Sequence, residues 1–335
     1  MDMTVKNSRI IALWLGICCA LVFVMVLVGA ITRLSNSGLS ITEWKPLLGA
    51  IPPLNEAEWE RAFGLYQKSP EFRHEHYWME MADFKKIFFW EWYHRLLGRL
   101  IGLAYGLPLL VFWLKGMIPK GYKLKLAGLF VLGGMQGALG WYMVKSGLVD
   151  MPSVSHYRLA AHLSLALVIY ALMFWLMLTF RNAPRSPSRH LYVHGWVVLV
   201  FVVMTMVWGA FTAGLDAGLI YNTFPLFSGQ FLPPDMWHRA PAWINIFENQ
   251  SAVQFTHRWL AVSTVLMVLG LWVHAFRKKS SSPVFHALAV MAVVQMMLGI
   301  ATLLSGVNLH LAVTHQAGAV VTLTLLLAIL HRTRA

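Results

Sequence analysis

The sequence predicts an all-α polytopic membrane protein with eight transmembrane helices, built as a tandem repeat of two four-helix bundles. Three observations carry this: the composition, the spacing of apolar runs and an internal repeat. Of 335 residues, 58% are hydrophobic and 12% charged, with mean hydropathy +0.60. That leaves too little polar surface to cover a soluble globule. A helix rising about 1.5 Å per residue needs about 20 apolar residues to cross about 30 Å of hydrocarbon. Runs of that kind lie near 10–32, 87–114, 126–144, 159–180, 193–213, 252–276, 284–304 and 311–330, each separated from the next by a polar or Pro/Gly-containing turn. The first run is too long for a signal-peptide core and lacks a clean cleavage site, so it reads as the first span.

The net charge of +13 does not point to nucleic acid. Lys6, Arg9, Lys115, Lys120, Lys123, Lys125, Arg181, Arg185, Arg189, Arg277, Lys278, Lys279, Arg332 and Arg334 cluster at alternate helix ends, accompanied by only one acid, Asp2. This is the positive-inside pattern and places both termini in the cytoplasm. Two long segments, 33–86 and 214–251, belong to the opposite face. The stretch 55–86 has helix-like spacing and is expected to form amphipathic caps over the first bundle. Cys18 and Cys19 are adjacent inside the first span, where neither metal-site spacing nor disulfide geometry is available, and read as packing residues. Ser280 to Ser282 reads as a simple turn, and the many tryptophans near span ends (Trp44, Trp90, Trp92, Trp141, Trp208, Trp243) as an interfacial belt.

The two halves repeat over about 160 residues, which sets the topology. "GAITRLSNSGLSITEWKPLLGAIPP" (29–53) matches "GAFTAGLDAGLIYNTFPLFSGQFLPP" (209–234), pairing Gly29 with Gly209 and Thr32 with Thr212. "EWYHR" (91–95) matches "QFTHR" (254–258), "MQGALG" (135–140) matches "VQMMLG" (294–299), and "YRLAAH" (157–162) matches "HLAVTH" (310–315). Residues 1–190 and 191–335 therefore read as parallel four-helix units related by an axis along the membrane normal.

Of fourteen histidines, four superpose in this repeat. His94 and His257 fall near the start of the second helix of each half, His162 and His315 near the start of the fourth. Paired imidazoles at matched depth on two helices of a bundle suit a planar metal macrocycle ligated from both sides. Arg95 and Arg258 follow the first histidine of each pair and are placed to meet anionic substituents. His190, His194, His274, His286 and His331 lie near the basic span ends, His74, His76 and His238 in loops, and His156 and His310 flank the fourth helices without superposing.

Glu91 stands three residues before His94, on the same helix face, where the second half has Gln254. An intramembrane carboxylate is costly enough to be read first as functional. In a site that modifies a bound molecule it acts as a base or stabilises developing positive charge; the alternative is an ion pair with Arg95 four residues on. The asymmetry makes the first half the catalytic one and the second the cofactor-bearing one.

These residues resemble the heme A synthases of aerobic bacteria and mitochondria. "FFWEWYHRLLGRLIG", "QFTHRWLA", "HLSLAL" after His162 and "THQAGA" around His315 carry the resemblance, which runs over about residues 10 to 330. It implies oxidation of the C8 methyl of heme O to a formyl group, through two hydroxylations, giving heme A for cytochrome c oxidase. It further implies that His257 and His315 ligate a resident heme b with Arg258 alongside. His94 and His162 would position the iron of substrate heme O with Arg95, and Glu91 would stand beside the reacting methyl. The family's long outer loops carry cysteine pairs in some members; here 33–86 and 214–251 contain none, as in the cysteine-free subgroup. Implied partners are the heme O synthase upstream and an electron carrier, and a homo-oligomer stays open. The short segment before the first span lacks an amphipathic targeting pattern, so the expected location is a bacterial inner membrane with the pockets toward the periplasm. Two other readings meet the same pattern in part: a diheme b cytochrome that only transfers electrons, and a parallel-repeat transporter, which would need ionisable residues nearer the midplane.

Overall fold

The computed structural model describes residues 3–43, 48–147, 154–280 and 282–335. Trp44 and Ser281 lie outside them. Eight helices among the described residues are long and apolar enough to cross a membrane: α1 (Met3–Leu34), α4 (Met81–Leu114), α5 (Lys123–Gly147), α6 (His156–Phe180), α7 (Arg189–Gly214), α9 (Gln250–Arg277), α10 (Pro283–Leu304) and α11 (Leu309–Thr333). Between them lie the short helices α2 (Glu56–Tyr66), α3 (Pro70–His74) and α8 (Asn245–Glu248). In hydrocarbon a backbone must satisfy its own hydrogen bonds, which is why uninterrupted apolar runs become helices.

Packing order closes two rings. In the first half α1 packs on α4, α4 on α5, α5 on α6 and α6 back on α1; in the second the circuit runs α7, α9, α10, α11 and back to α7. Thus α4 and α6 occupy opposite corners of one ring, α9 and α11 opposite corners of the other. The rings are fused through α1, α6, α7 and α11. One apolar core runs across this seam, joining Ile11, Leu15, Val22 and Leu167 of the first half to Val320, Leu323 and Leu327 of α11. The Tyr170 hydroxyl and Thr324 Oγ1 hydrogen-bond across it at 2.8 Å. At the end that carries the two long segments, Arg33 closes the seam by donating to the Ala213 carbonyl at 2.8 Å and pairing with Asp216 at 3.1 Å.

A proline inside α4 shows how the apolar interior settles its polar accounts. Pro108 has no N–H, so the Ala104 carbonyl four residues earlier loses its helical donor. The indole N–H of Trp14 on α1 donates to that carbonyl at 2.9 Å, and the Cys18 thiol approaches it at 3.9 Å. Cys18 and Cys19 are buried, unbridged packing residues.

The expected caps form. Asn55 caps α2 by accepting from the Glu58 N–H, Ser69 caps α3 by accepting from the Phe72 N–H, and Tyr66, Phe84 and Phe88 form an aromatic cluster with Trp59 and Phe63 over the start of α4. Trp92 joins this cluster and donates its indole N–H to the Ala50 carbonyl at 3.1 Å, tying the outer segment to α4.

Candidate functional site

Each ring contains two histidine corners and two glycine corners. His94 on α4 and His162 on α6 face across the first ring, and α1 and α5 between them present Gly29 and Gly140. A Cβ on Gly29 would lie 3.3 Å from His94 Nε2, and one on Gly140 only 2.9 Å from His162 Cε1. In the second ring, a Cβ on Gly209 of α7 would lie 3.1 Å from His257 Cε1, and one on Gly299 of α10 would lie 2.9 Å from His315 Cε1. At Gly140 and Gly299 a Cβ would force the imidazole to shift, and at Gly29 and Gly209 it would press tightly against it, so glycine here serves space rather than backbone freedom. All four glycines, and His162, His257 and His315, lie five to seven residues from the helix ends at the long-segment face, a depth of roughly 8–10 Å. His94 is at the same level, because α4 begins early, inside the cap.

The histidines are held from behind by polar groups. His257 Nδ1 meets the Thr205 carbonyl of α7 at 3.1 Å, an arrangement that fixes the ring and leaves Nε2 for a ligand. Gln136 Nε2 on α5 donates to the His162 carbonyl at 3.0 Å and lies 3.2 Å from His162 Nε2. Its repeat equivalent, Gln295 Nε2 on α10, donates to the His315 carbonyl at 2.8 Å. Nδ1 of both His162 and His315 is buried without a hydrogen-bond partner.

Glu91 is 3% exposed and both its oxygens are engaged. Oε1 pairs with Arg95 at 2.5 Å; Oε2 accepts from the Ser40 hydroxyl at 2.7 Å and the Ile41 N–H at 2.8 Å. Arg95 in turn donates to the Ile41 carbonyl at 3.1 Å. Gln254 reproduces the clamp in the second half: it donates to the Ala217 carbonyl at 2.7 Å and accepts from Arg258 at 2.9 Å, while Arg258 donates to the Tyr221 carbonyl at 2.6 Å. Each clamp pins the strand of chain that leaves the first helix of its half onto the second helix, one turn above the histidine. The Glu91–Arg95 pair weighed from the sequence is thus present, and the carboxylate does not stand open to a cavity. Arg258 lies over the Phe227 ring at 4.1 Å and keeps its Nε buried without a partner.

Outside the spans, the cap holds a buried acid. Glu71 Oε2 and Tyr66 Oη lie 2.9 Å apart, and Tyr66 Oη lies 2.7 Å from His76 Nδ1. Burial, reinforced by the nearby Glu91, pushes the Glu71 carboxyl up to about 8, outweighing the lowering effects of Tyr66 and Arg33. Burial likewise raises the Tyr66 phenol and lowers the His76 imidazole. Elsewhere, His194 and His274 pair through their Nδ1 atoms at 3.1 Å near the basic end of the second ring, away from the matched four. His156 and His310 sit in the first turns of α6 and α11 and do not join the ring corners.

A family model described as COX15-CtaA, cytochrome oxidase assembly protein, matches residues 12–327. The chain belongs to this family. It is 48% identical over 332 residues to a heme A synthase of Rhodospirillum centenum, covering 97% of this chain and 89% of that one. Against a heme A synthase of Nitrosospira multiformis it is 46% identical over 343 residues, covering 99% and 96%, and against one of Rhizobium etli 44% over 323 residues, covering 94% and 88%.

For this COX15-CtaA member, the residues to which the sequence assigned no role are the four corner glycines, Gln136 and Gln295, and the Ser40 and Ile41 donors to Glu91. The repeat contained the signal for the first six: each is matched across the halves, as each histidine is. Ser40 and Ile41 carried none, because their partner is brought in by tertiary packing.

Proposed function

We propose that the chain works as a heme A synthase with divided halves, the first bundle taking heme O as substrate and the second holding a resident heme b. The supporting observation is that the only residues superposed as facing imidazoles sit opposite one another with glycine at both flanking corners. With no side chain at those corners, each imidazole lies directly against the backbone of the neighbouring helix. The buried, partnerless Nδ1 of His162 and His315, and the His257 ring braced on the Thr205 carbonyl, fit a heme better than a packed apolar interior, in which such atoms are costly.

In this reading His94 and His162 would hold the substrate iron, with the Glu91 clamp one helical turn from His94. Oxidation of the C8 methyl to a formyl group withdraws electrons from its carbon, and an anion held nearby would stabilise positive charge developing there. Glu91 has both oxygens fixed by Ser40, Ile41 and Arg95, so its role is electrostatic: a positioned negative charge rather than a freely moving base. When bound between His257 and His315, heme b supplies one-electron redox capacity. Arg95 and Arg258, toward the long-segment face, would be the cations offered to propionate groups. The basic helix ends support an orientation with both termini in the cytoplasm of a bacterium and the pockets toward the periplasm, with heme O synthase as the supplier and an electron carrier as the sink.

The Gln254 clamp supplies the test. Glu91→Gln keeps the size of the side chain and, as Gln254 shows, a hydrogen bond to the arginine, while removing the charge. Hemes extracted from purified protein expressed with a heme O supply should include heme A or its hydroxylated precursor in the wild type. In Glu91→Gln, heme O should accumulate with heme b unchanged. Wild-type product in Glu91→Gln would reduce Glu91 to a structural clamp, and unmodified heme b alone in both proteins, at two per chain, would make the molecule an electron-transfer cytochrome.

A further inference from the structure

Gln136 and Gln295 stand four residues before the corner glycines Gly140 and Gly299, one turn away on the same faces of α5 and α10. Each donates its amide to the backbone carbonyl of the histidine on the neighbouring fourth helix, at 3.0 Å and 2.8 Å. These carbonyls already face the N–H groups of Ala166 and Ala319 within their own helices, so helix formation does not call for the extra donor. Nor are the amides satisfied in return, since Oε1 of both glutamines is buried without a partner. A primary amide kept at the same place in both halves, at the cost of an unpaired oxygen, is kept for what its N–H does.

What it does is set the helix turn that carries the ligand. The glycine lets the imidazole lie against the third helix, and the glutamine holds the backbone of the same residue to that helix. Together they fix where the ring stands and how it is rotated. Gln295 is itself seated by Gly318, since a Cβ there would overlap its Oε1. The first half has Leu165 at that position, and there Gln136 also reaches the His162 ring.

We infer that Gln136 and Gln295 are positioning residues for the axial imidazoles of His162 and His315, each acting through the histidine's own carbonyl. This rests on the reading of those histidines as heme ligands. Outer groups that orient a ligating histidine are worth about 10- to 100-fold in binding when removed.

The resident heme b of the full-length protein, purified with its heme, gives the readout. Gln295→Leu keeps the volume and removes the donor; it should speed transfer of heme b to a heme-scavenging apoprotein by about tenfold and alter the low-spin ferric signal of the heme. Gln295→Glu is the discriminating variant. Its neutral acid donates an O–H to the carbonyl and its anion does not, so it should show the wild-type signal at low pH and the Gln295→Leu signal at high pH, reversibly. A Gln295→Glu signal that departs from wild type at low pH, where the acid is neutral and donates, or a Gln295→Leu transfer rate equal to wild type, would overturn the inference. Should Gln295→Leu fail to assemble, the pH series of Gln295→Glu still decides. His315→Ala separates the two levels: if it retains the wild-type heme signal, the ligand assignment itself falls, whereas loss of heme in His315→Ala beside unchanged glutamine variants sinks only the positioning role.

Discussion

Glycine does at the ring corners what no other residue can do, and this gives a prediction that is local to single atoms. A Cβ on Gly299 would stand 2.9 Å from His315 Cε1, and one on Gly140 equally close to His162 Cε1. Valine at either place must push the imidazole off its axis. On the proposed division of the halves, Gly299→Val should deplete heme b, while Gly140→Val should leave heme b in place and block accumulation of heme A, both measured by extraction of pigments from purified protein. Equal heme b contents in the two variants would contradict the assignment of cofactor and substrate to different rings. Much of this was legible in the sequence: His94, His162, His257 and His315, the EWYHR and QFTHR motifs and the glycines all align across the repeat. The glutamines aligned as well, yet a backbone carbonyl is a partner that no pattern of side chains announces. Glu91 shows the other limit. Its spacing from His94 and Arg95 was readable, but its engagement by Ser40 and Ile41, fifty residues away in the chain, arises only when the outer segment folds back.

At the level of elements, the cap built from α2, α3 and the start of α4 is a small aromatic core outside the spans, with one acid sealed inside it. The helix-like spacing of 55–86 was enough to foresee caps; that Glu71 would be buried against Tyr66 was not, since an isolated acid in an amphipathic stretch reads as solvated. Its carboxyl pKa moves from the ordinary 4.5 to about 8 on burial, so the folded cap retains a proton that the opened cap releases. Stability from this group is full below pH 4.5 and is lost progressively as pH rises toward 8. His76, held neutral by burial, has the opposite sign and weakens the cap as pH falls below its ordinary 6.5. Between pH 6.5 and 8 the raised Glu71 carboxyl therefore supplies a downward slope of cap stability with pH. Hydrogen exchange of residues 56–74, corrected for the intrinsic rate, should show the cap opening more often as pH increases from 6.5 to 8, and Glu71→Gln should flatten that dependence. A slope that survives Glu71→Gln would assign the titration to another group. The groups facing Glu71 are Tyr66, Glu91, Arg33 and Glu75.

For the whole molecule, the decisive asymmetry is between its two faces. All four ring histidines, both clamps and the cap lie toward one end of the helices, and the lysine and arginine clusters of the short connections lie at the other. Fusion of the rings through α1 and α11 gives the halves a common frame, so a single orientation in the membrane fixes the side from which both pockets are approached. The basic connections predict that side to be the non-cytoplasmic one. The chain is well suited to a direct check, because Cys18 and Cys19 are its only cysteines and both are buried in the core. A thiol introduced at exposed Lys68, in the segment between α2 and α3, should react with a membrane-impermeant maleimide in intact spheroplasts. One introduced at exposed Lys278, after α9, should react only after the membrane is opened. The reverse pattern would turn the molecule over and place heme O capture on the cytoplasmic side. Labelling of Lys68→Cys from outside would put the Glu91 clamp and its cap at the periplasmic surface, with the ring histidines of both halves at the same end of the helices.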